Sequence, residues 1–144
     1  MSGNISRRQI RDSAMKLLFE ISLRDDPLEE LYEIAEEIEE IIVNEDVRML
    51  VDGTVAHKDE LDALIQQYSP KRSIQRIPKL ELAILRLALF EILYDDATPA
   101  NAAIAEAVQL AESYTYYKED IRFINGLLGA FARDHVGETD KSAT

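Results

Sequence analysis

The sequence predicts an all-α protein, a compact helical bundle of about six to seven helices. Apolar residues recur at steps of three and four along most of its length, and sustained apolar/polar alternation of the kind a strand needs is absent. The periodic stretches are separated by helix punctuation: Ser6, Asn44, Ser69-Pro70, Ile77-Pro78 and Thr98-Pro99. With 144 residues, 47% of them hydrophobic, the chain has material for one core. A single all-helical domain over 1–134 followed by a disordered tail over 135–144 is expected.

In the first helix Ile10, Ala14, Leu17, Leu18 and Ile21 form the inner stripe, and Ser6 is placed to cap it. The second runs through Leu31, Ile34, Ala35, Ile38, Ile41 and Ile42, its outer face filled with Glu and Asp. Those acids lack basic partners at i+4, so its apolar stripe must hold it in place. A third helix, capped by Asn44, carries Val47, Leu50, Val51, Thr54, Leu61, Leu64, Ile65 and Tyr68. His57 beside that stripe reads as a packed histidine with one hydrogen bond rather than a catalytic group.

From Leu80 to Leu93 nearly every residue is apolar except Glu81, Arg86 and Glu91, as in a helix surrounded by protein. Positions five apart are offset by about 140°, so the three polar groups must reach different edges of the bundle. If Arg86 is buried, it needs an acceptor. Thr98-Pro99 opens the next helix, with Ala103, Ile104, Ala107, Val108, Ala111 and Tyr114 facing inward. Asp120 then caps a last helix whose stripe is Ile121, Ile124, Leu127, Leu128 and Phe131. Within it Asn125-Gly126 is out of place, since a mid-helix glycine costs about 1 kcal/mol against alanine. Either a neighbouring helix packs closely there, with Asn125 bonded to it, or the turn displays Arg122 and Phe123 to a ligand.

Composition narrows the chemistry. The chain has no cysteine and only His57 and His135, which excludes disulfides, thiolate nucleophiles and Cys- or His-rich metal clusters. No metal and no cofactor is expected, and Asp95-Asp96 reads as a turn. A run apolar enough for a membrane span or a secretory signal is missing, so the cytoplasm is the expected compartment.

The net charge of −12 is unevenly spread. Residues 1–24 carry +3, with Arg7, Arg8, Arg11, Lys16 and Arg24 against Asp12 and Glu20. Residues 25–46 carry −11, with no Lys or Arg, and the rest carries −4. A second basic stretch, Lys71, Arg72, Arg76 and Lys79, contains no acid. Such a distribution keeps a polyanion partner in play despite the acidic total.

Leu85-Arg86, Phe90-Glu91, Pro99, Ile104-Ala105-Glu106-Ala107 and Arg122-Phe123-Ile124-Asn125-Gly126 stand in one order between residues 80 and 129, after an arginine-rich first helix. In that order and spacing the chain resembles the NusB family of transcription antitermination factors. The resemblance implies two packed helical subdomains and a non-enzymatic protein that binds boxA-type single-stranded nascent RNA. It does so together with NusE, a small-subunit ribosomal protein, in the elongation complex on RNA polymerase. It implies phosphate contacts from Arg7, Arg8 and Arg11, a second RNA contact at Glu119, Arg122 and Phe123, and a partner side at Phe19 and Glu81. No membrane contact is implied, and monomer and homodimer both remain open.

Departures from the family pattern weaken that expectation locally. Gln9 interrupts the arginine run, Ala105 replaces a common Asn, "SYTYYKED" replaces a glycine-containing approach, and Asp120 stands where Ser is common. Two other readings compete. One is an acidic adapter that docks a basic protein through residues 29–40 without touching RNA. The other is the accessory domain of RNA cytosine methyltransferases, which the absent cysteine nucleophile and Gly-rich loop make a poor fit for catalysis.

Overall fold

The computed structural model describes residues 5–115 and 117–143, with side chains through His135. Among the described residues there are seven α-helices, one short 3₁₀ turn and no strand: α1 (Arg7–Leu23), α2 (Leu28–Glu36), α3 (Glu45–Ala56), α4 (Lys58–Gln67), α5 (Lys79–Tyr94), α6 (Ala100–Tyr114) and α7 (Lys118–Ala143). The tail expected over 135–144 lies, from residue 136 onward, outside the residues whose side chains are described. No helix of the described residues is long and apolar enough to cross a membrane.

The apolar helix α5 is the axis of the bundle, packed by α1, α3, α4, α6 and α7. Its residues Ala83, Ile84, Leu85, Leu87 and Leu89 are all within 1% of full burial, which accounts for a sequence with almost no polar face. Arg86 has the acceptor its position demands: Nε and one terminal nitrogen donate to the two oxygens of Asp62 at 2.6 and 3.0 Å.

At the start of α1, Ser6 and Gln9 form a reciprocal cap. The Gln9 N–H donates to Ser6 Oγ at 3.1 Å, and the Ser6 N–H donates to Gln9 Oε1 at 2.9 Å. The residue that interrupts the arginine run therefore fixes where the helix begins. Asn44 caps α3 as expected, accepting from the Val47 N–H at 2.8 Å.

The structure corrects four expectations. The acidic helix ends at Glu36 instead of continuing to Ile42. Glu36, Glu37, Glu39 and Glu40 would crowd like charges onto a helix C-terminus, where the macrodipole already disfavours them. The chain turns instead, and the Ile42 N–H donates to the hydroxyl of buried Ser13 on α1 at 2.8 Å.

The helix expected across 47–68 is two helices that break at His57. The ring Nδ1 lies 2.8 Å from the Gly53 carbonyl, and the imidazole packs against Phe90 and Tyr94 with centroids 5.8 and 4.3 Å away. His57 is thus a packed structural residue.

Pro99, not Thr98, occupies the N-cap of α6, so the helix starts one residue later than expected, and Thr98 Oγ1 donates to Asp95 at 2.8 Å. Helix α7, by contrast, starts earlier than a cap at Asp120 would place it, at Lys118.

The fourth correction concerns glycine. A Cβ on Gly126 would meet nothing within 4 Å, and Asn125 is exposed, so no helix packs closely on that dipeptide. The close approach is at Gly53, where a Cβ would fall 2.1 Å from the Phe90 ring.

Candidate nucleic-acid interface

Antiparallel packing of α1 against α5 brings the first turn of α1 to the C-terminal end of α5. Arg7 reaches Glu91 at 3.4 Å and Asp95 at 3.1 Å with one terminal nitrogen. Arg8 turns the other way and grips Glu106 of α6 through Nε and a terminal nitrogen, at 3.2 and 3.1 Å. Their side chains remain 44% and 60% exposed, so both keep N–H groups toward solvent. The hydrogen bond and charge of Arg8 hold the Glu106 carboxyl below the usual range.

Arg11 differs. It is 7% exposed, and its Nε donates to both oxygens of buried Glu91 at 3.0 and 2.9 Å. A guanidinium held inside the protein by a carboxylate is turned away from solvent, which sets Arg11 apart from Arg7 and Arg8. The signal was in the sequence: Arg11 lies three and seven residues before Ala14 and Leu18, on the inner stripe.

The second cluster lies at the opposite end of α5. Glu81 and Glu91 are ten residues apart, about 15 Å along the helix axis. Phe123, in the second turn of α7, is partly buried against the core, and the Arg72 guanidinium sits 4.8 Å from its ring centroid. The aromatic platform therefore carries its own cation, from the basic stretch that sequence reasoning noticed but did not join to Phe123. Glu119, Arg122, Asn125 and Gly126 are exposed around it.

Glu81 is 3% exposed and its Oε1 has no hydrogen-bond partner. Burial first, then the hydrogen bond and charge of Asp120, push its carboxyl up to about 7, with Arg72 acting in the opposite direction. Glu81, expected on the partner side, thus lies beneath the surface. Phe19 is half-buried against the core, with part of its ring accessible.

A seam between α1 and α6 continues from the first cluster. At the C-terminal end of α6 the Tyr114 hydroxyl donates to Asp12 of α1, which also pairs with Lys16 at 2.9 Å. Helix α7, which carries Phe123, begins four residues after Tyr114.

The model of the NusB family matches residues 8–133. The chain belongs to the NusB family. It is 38% identical to the transcription antitermination protein NusB of Acetivibrio thermocellus over 140 residues, covering 94% of each chain. It is 34% identical to that of a Thermoanaerobacter species, covering 96% of this chain and 98% of the relative. Among solved structures, Thermotoga maritima (T. maritima) NusB superposes with a TM-score of 0.81 at 31% identity, covering 92% of this chain and 94% of the other. A crystal structure of antitermination factors NusB and NusE in complex with dsRNA gives 0.77 at 29% identity, covering 90% and 97%. The family match thus includes both α1 from Arg8 and the first turns of α7.

Proposed function

We propose that the protein is a non-enzymatic transcription antitermination factor that binds boxA-type nascent RNA together with NusE within the elongation complex. The observation that carries this reading is the pair of solvent-facing guanidinium groups of Arg7 and Arg8, together with a cation-backed aromatic ring at Phe123. Phosphates suit the first group, and an unstacked base suits the second. Arg122 and Arg72 supply charge beside the ring, and Glu119 accepts from base or ribose donors. Arg11 is a positioning residue: it fixes Glu91, which in turn receives Arg7.

Supporting this assignment, a solved relative is a NusB and NusE pair in complex with dsRNA, at 29% identity. On the partner side, the accessible part of Phe19 offers a contact, while Glu81 acts through Asp120 and Arg72 from beneath the surface. Titration of boxA-like RNA, with and without NusE at two salt concentrations, tests the proposal. Tighter binding in the pair, weakening with salt, is expected; binding indifferent to both overturns it.

One observation favours an additional protein-docking role. The glutamates of α2 face solvent together with Ile34 and Ile38, 43% and 40% exposed. If the acidic adapter were the whole function, replacing Glu29, Glu30, Glu33 and Glu36 would abolish partner binding while Arg7→Ala and Arg8→Ala would leave it intact.

A further inference from the structure

Beside Arg8, between α1, α6 and the turn that follows α2, lies a cleft of about 320 Å³. That is the lower end of the size range of small-ligand sites, about 300–1,000 Å³. Leu110, 7% exposed, and Ile42 give it apolar surface, while Gln9, Gln109 and Ser113 line it with amide and hydroxyl groups. We propose that this cleft receives one unstacked guanine of an RNA strand, its edge read by the Glu40 carboxylate and its phosphate held by Arg8. The inference rests on the RNA-binding reading above and adds a base-selective site to it.

The charges in the cleft decide which edge fits. Three carboxylates line it, but two are engaged: Glu106 by the bidentate Arg8, and Asp12 by Lys16 and Tyr114. Glu40 has no ion pair or side-chain hydrogen bond among the described residues, and it is exposed. It is not on a loose loop. The Ile42 N–H bond to buried Ser13, at 2.8 Å, and the Ile41 N–H bond to the Ile38 carbonyl, at 3.1 Å, hold the turn against α1.

A free carboxylate accepts two parallel donors. Guanine presents N1–H and the N2 amine side by side. Adenine and cytosine each place an acceptor beside their amine, and uracil places carbonyls on both sides of its N–H, so each would set an acceptor against the carboxylate. Leu110 and Ile42 suit the face of the ring, and the amides of Gln9 and Gln109 can donate to O6 and N7. Arg8, 60% exposed, retains N–H groups for the attached phosphate.

The test is a titration of the full-length protein with guanosine 5′-monophosphate, inosine 5′-monophosphate and inorganic phosphate at constant ionic strength, read by amide chemical shifts. Guanosine monophosphate should move the amides of Gln9, Ile42, Gln109 and Ser113. Inosine monophosphate, lacking the N2 amine, should bind about tenfold more weakly. Glu40→Gln should erase that difference, and Ser113→Phe, which fills the cleft, should leave only the response to inorganic phosphate.

Equal responses to all three ligands, confined to Arg7 and Arg8, would overturn the guanine site. If boxA-like RNA still bound in that case, the RNA-binding reading would stand without the cleft. Loss of RNA binding as well would remove both.

Discussion

Arg11 lies with its Nε 3.0 and 2.9 Å from the two oxygens of Glu91, inside a bundle whose axis is otherwise almost wholly apolar. The ion pair joins α1 to α5. Leaving either charge alone in that setting costs about 3–5 kcal/mol, so Arg11→Ala and Glu91→Ala should each lower the urea midpoint markedly. The double replacement Arg11→Met with Glu91→Leu should be much less damaging than the sum of the two alanine variants. Strict additivity in that cycle would show that the two groups are not coupled.

Glu81 gives stability a pH dependence. Its folded carboxyl is pushed up to about 7 from 4.5 by burial and by Asp120. A carboxyl raised on folding contributes stability that is complete below its unfolded value and lost as pH rises through the folded one. Denaturant unfolding should therefore show stability falling between pH 5 and pH 8. Glu81→Gln should flatten the profile and be more stable at pH 8 by about 1–3 kcal/mol. An unchanged slope in that variant would rule out Glu81 as the source.

The two described glycines of interest should respond in opposite directions to alanine. Gly53→Ala forces a methyl group into the Phe90 ring and should destabilise by about 1–3 kcal/mol. Gly126→Ala enters open space at a negative φ and should stabilise by about 0.5–1 kcal/mol in thermal unfolding. If RNA or NusE lies against that turn, the stabilised variant should nonetheless bind its partners more weakly.

Glu106 competes with phosphate for Arg8. Glu106→Gln should free one guanidinium, tighten boxA-like RNA, and steepen the salt dependence by about 0.7 in the logarithmic slope. A salt slope equal to that of the unaltered protein would show that the Glu106 pairing does not limit what Arg8 offers the strand.

How much of this was legible in the sequence differs from residue to residue. The all-helical class followed from periodicity, and the need of Arg86 for an acceptor followed from its neighbours, although nothing local named Asp62, 24 residues away. The early end of α2 was readable from charge, because four glutamates crowd a helix terminus that disfavours them. Arg11 was grouped with its arginine neighbours, although its helical spacing placed it inside. The cation over Phe123 comes from a loop 51 residues earlier, and the break at His57 depends on Phe90 and Tyr94. Such pairings are set by tertiary packing, to which local patterns are blind.

Because Arg7 and Arg8 already rest on carboxylates of α5 and α6, an arriving phosphate meets partly neutralised cations and gains their full charge only in exchange for those pairings. Random polyanions gain little from that exchange, whereas a strand that also fills neighbouring contacts gains the difference. The carboxylates that hold the two cations in place thus also hold down adhesion to nucleic acid in general.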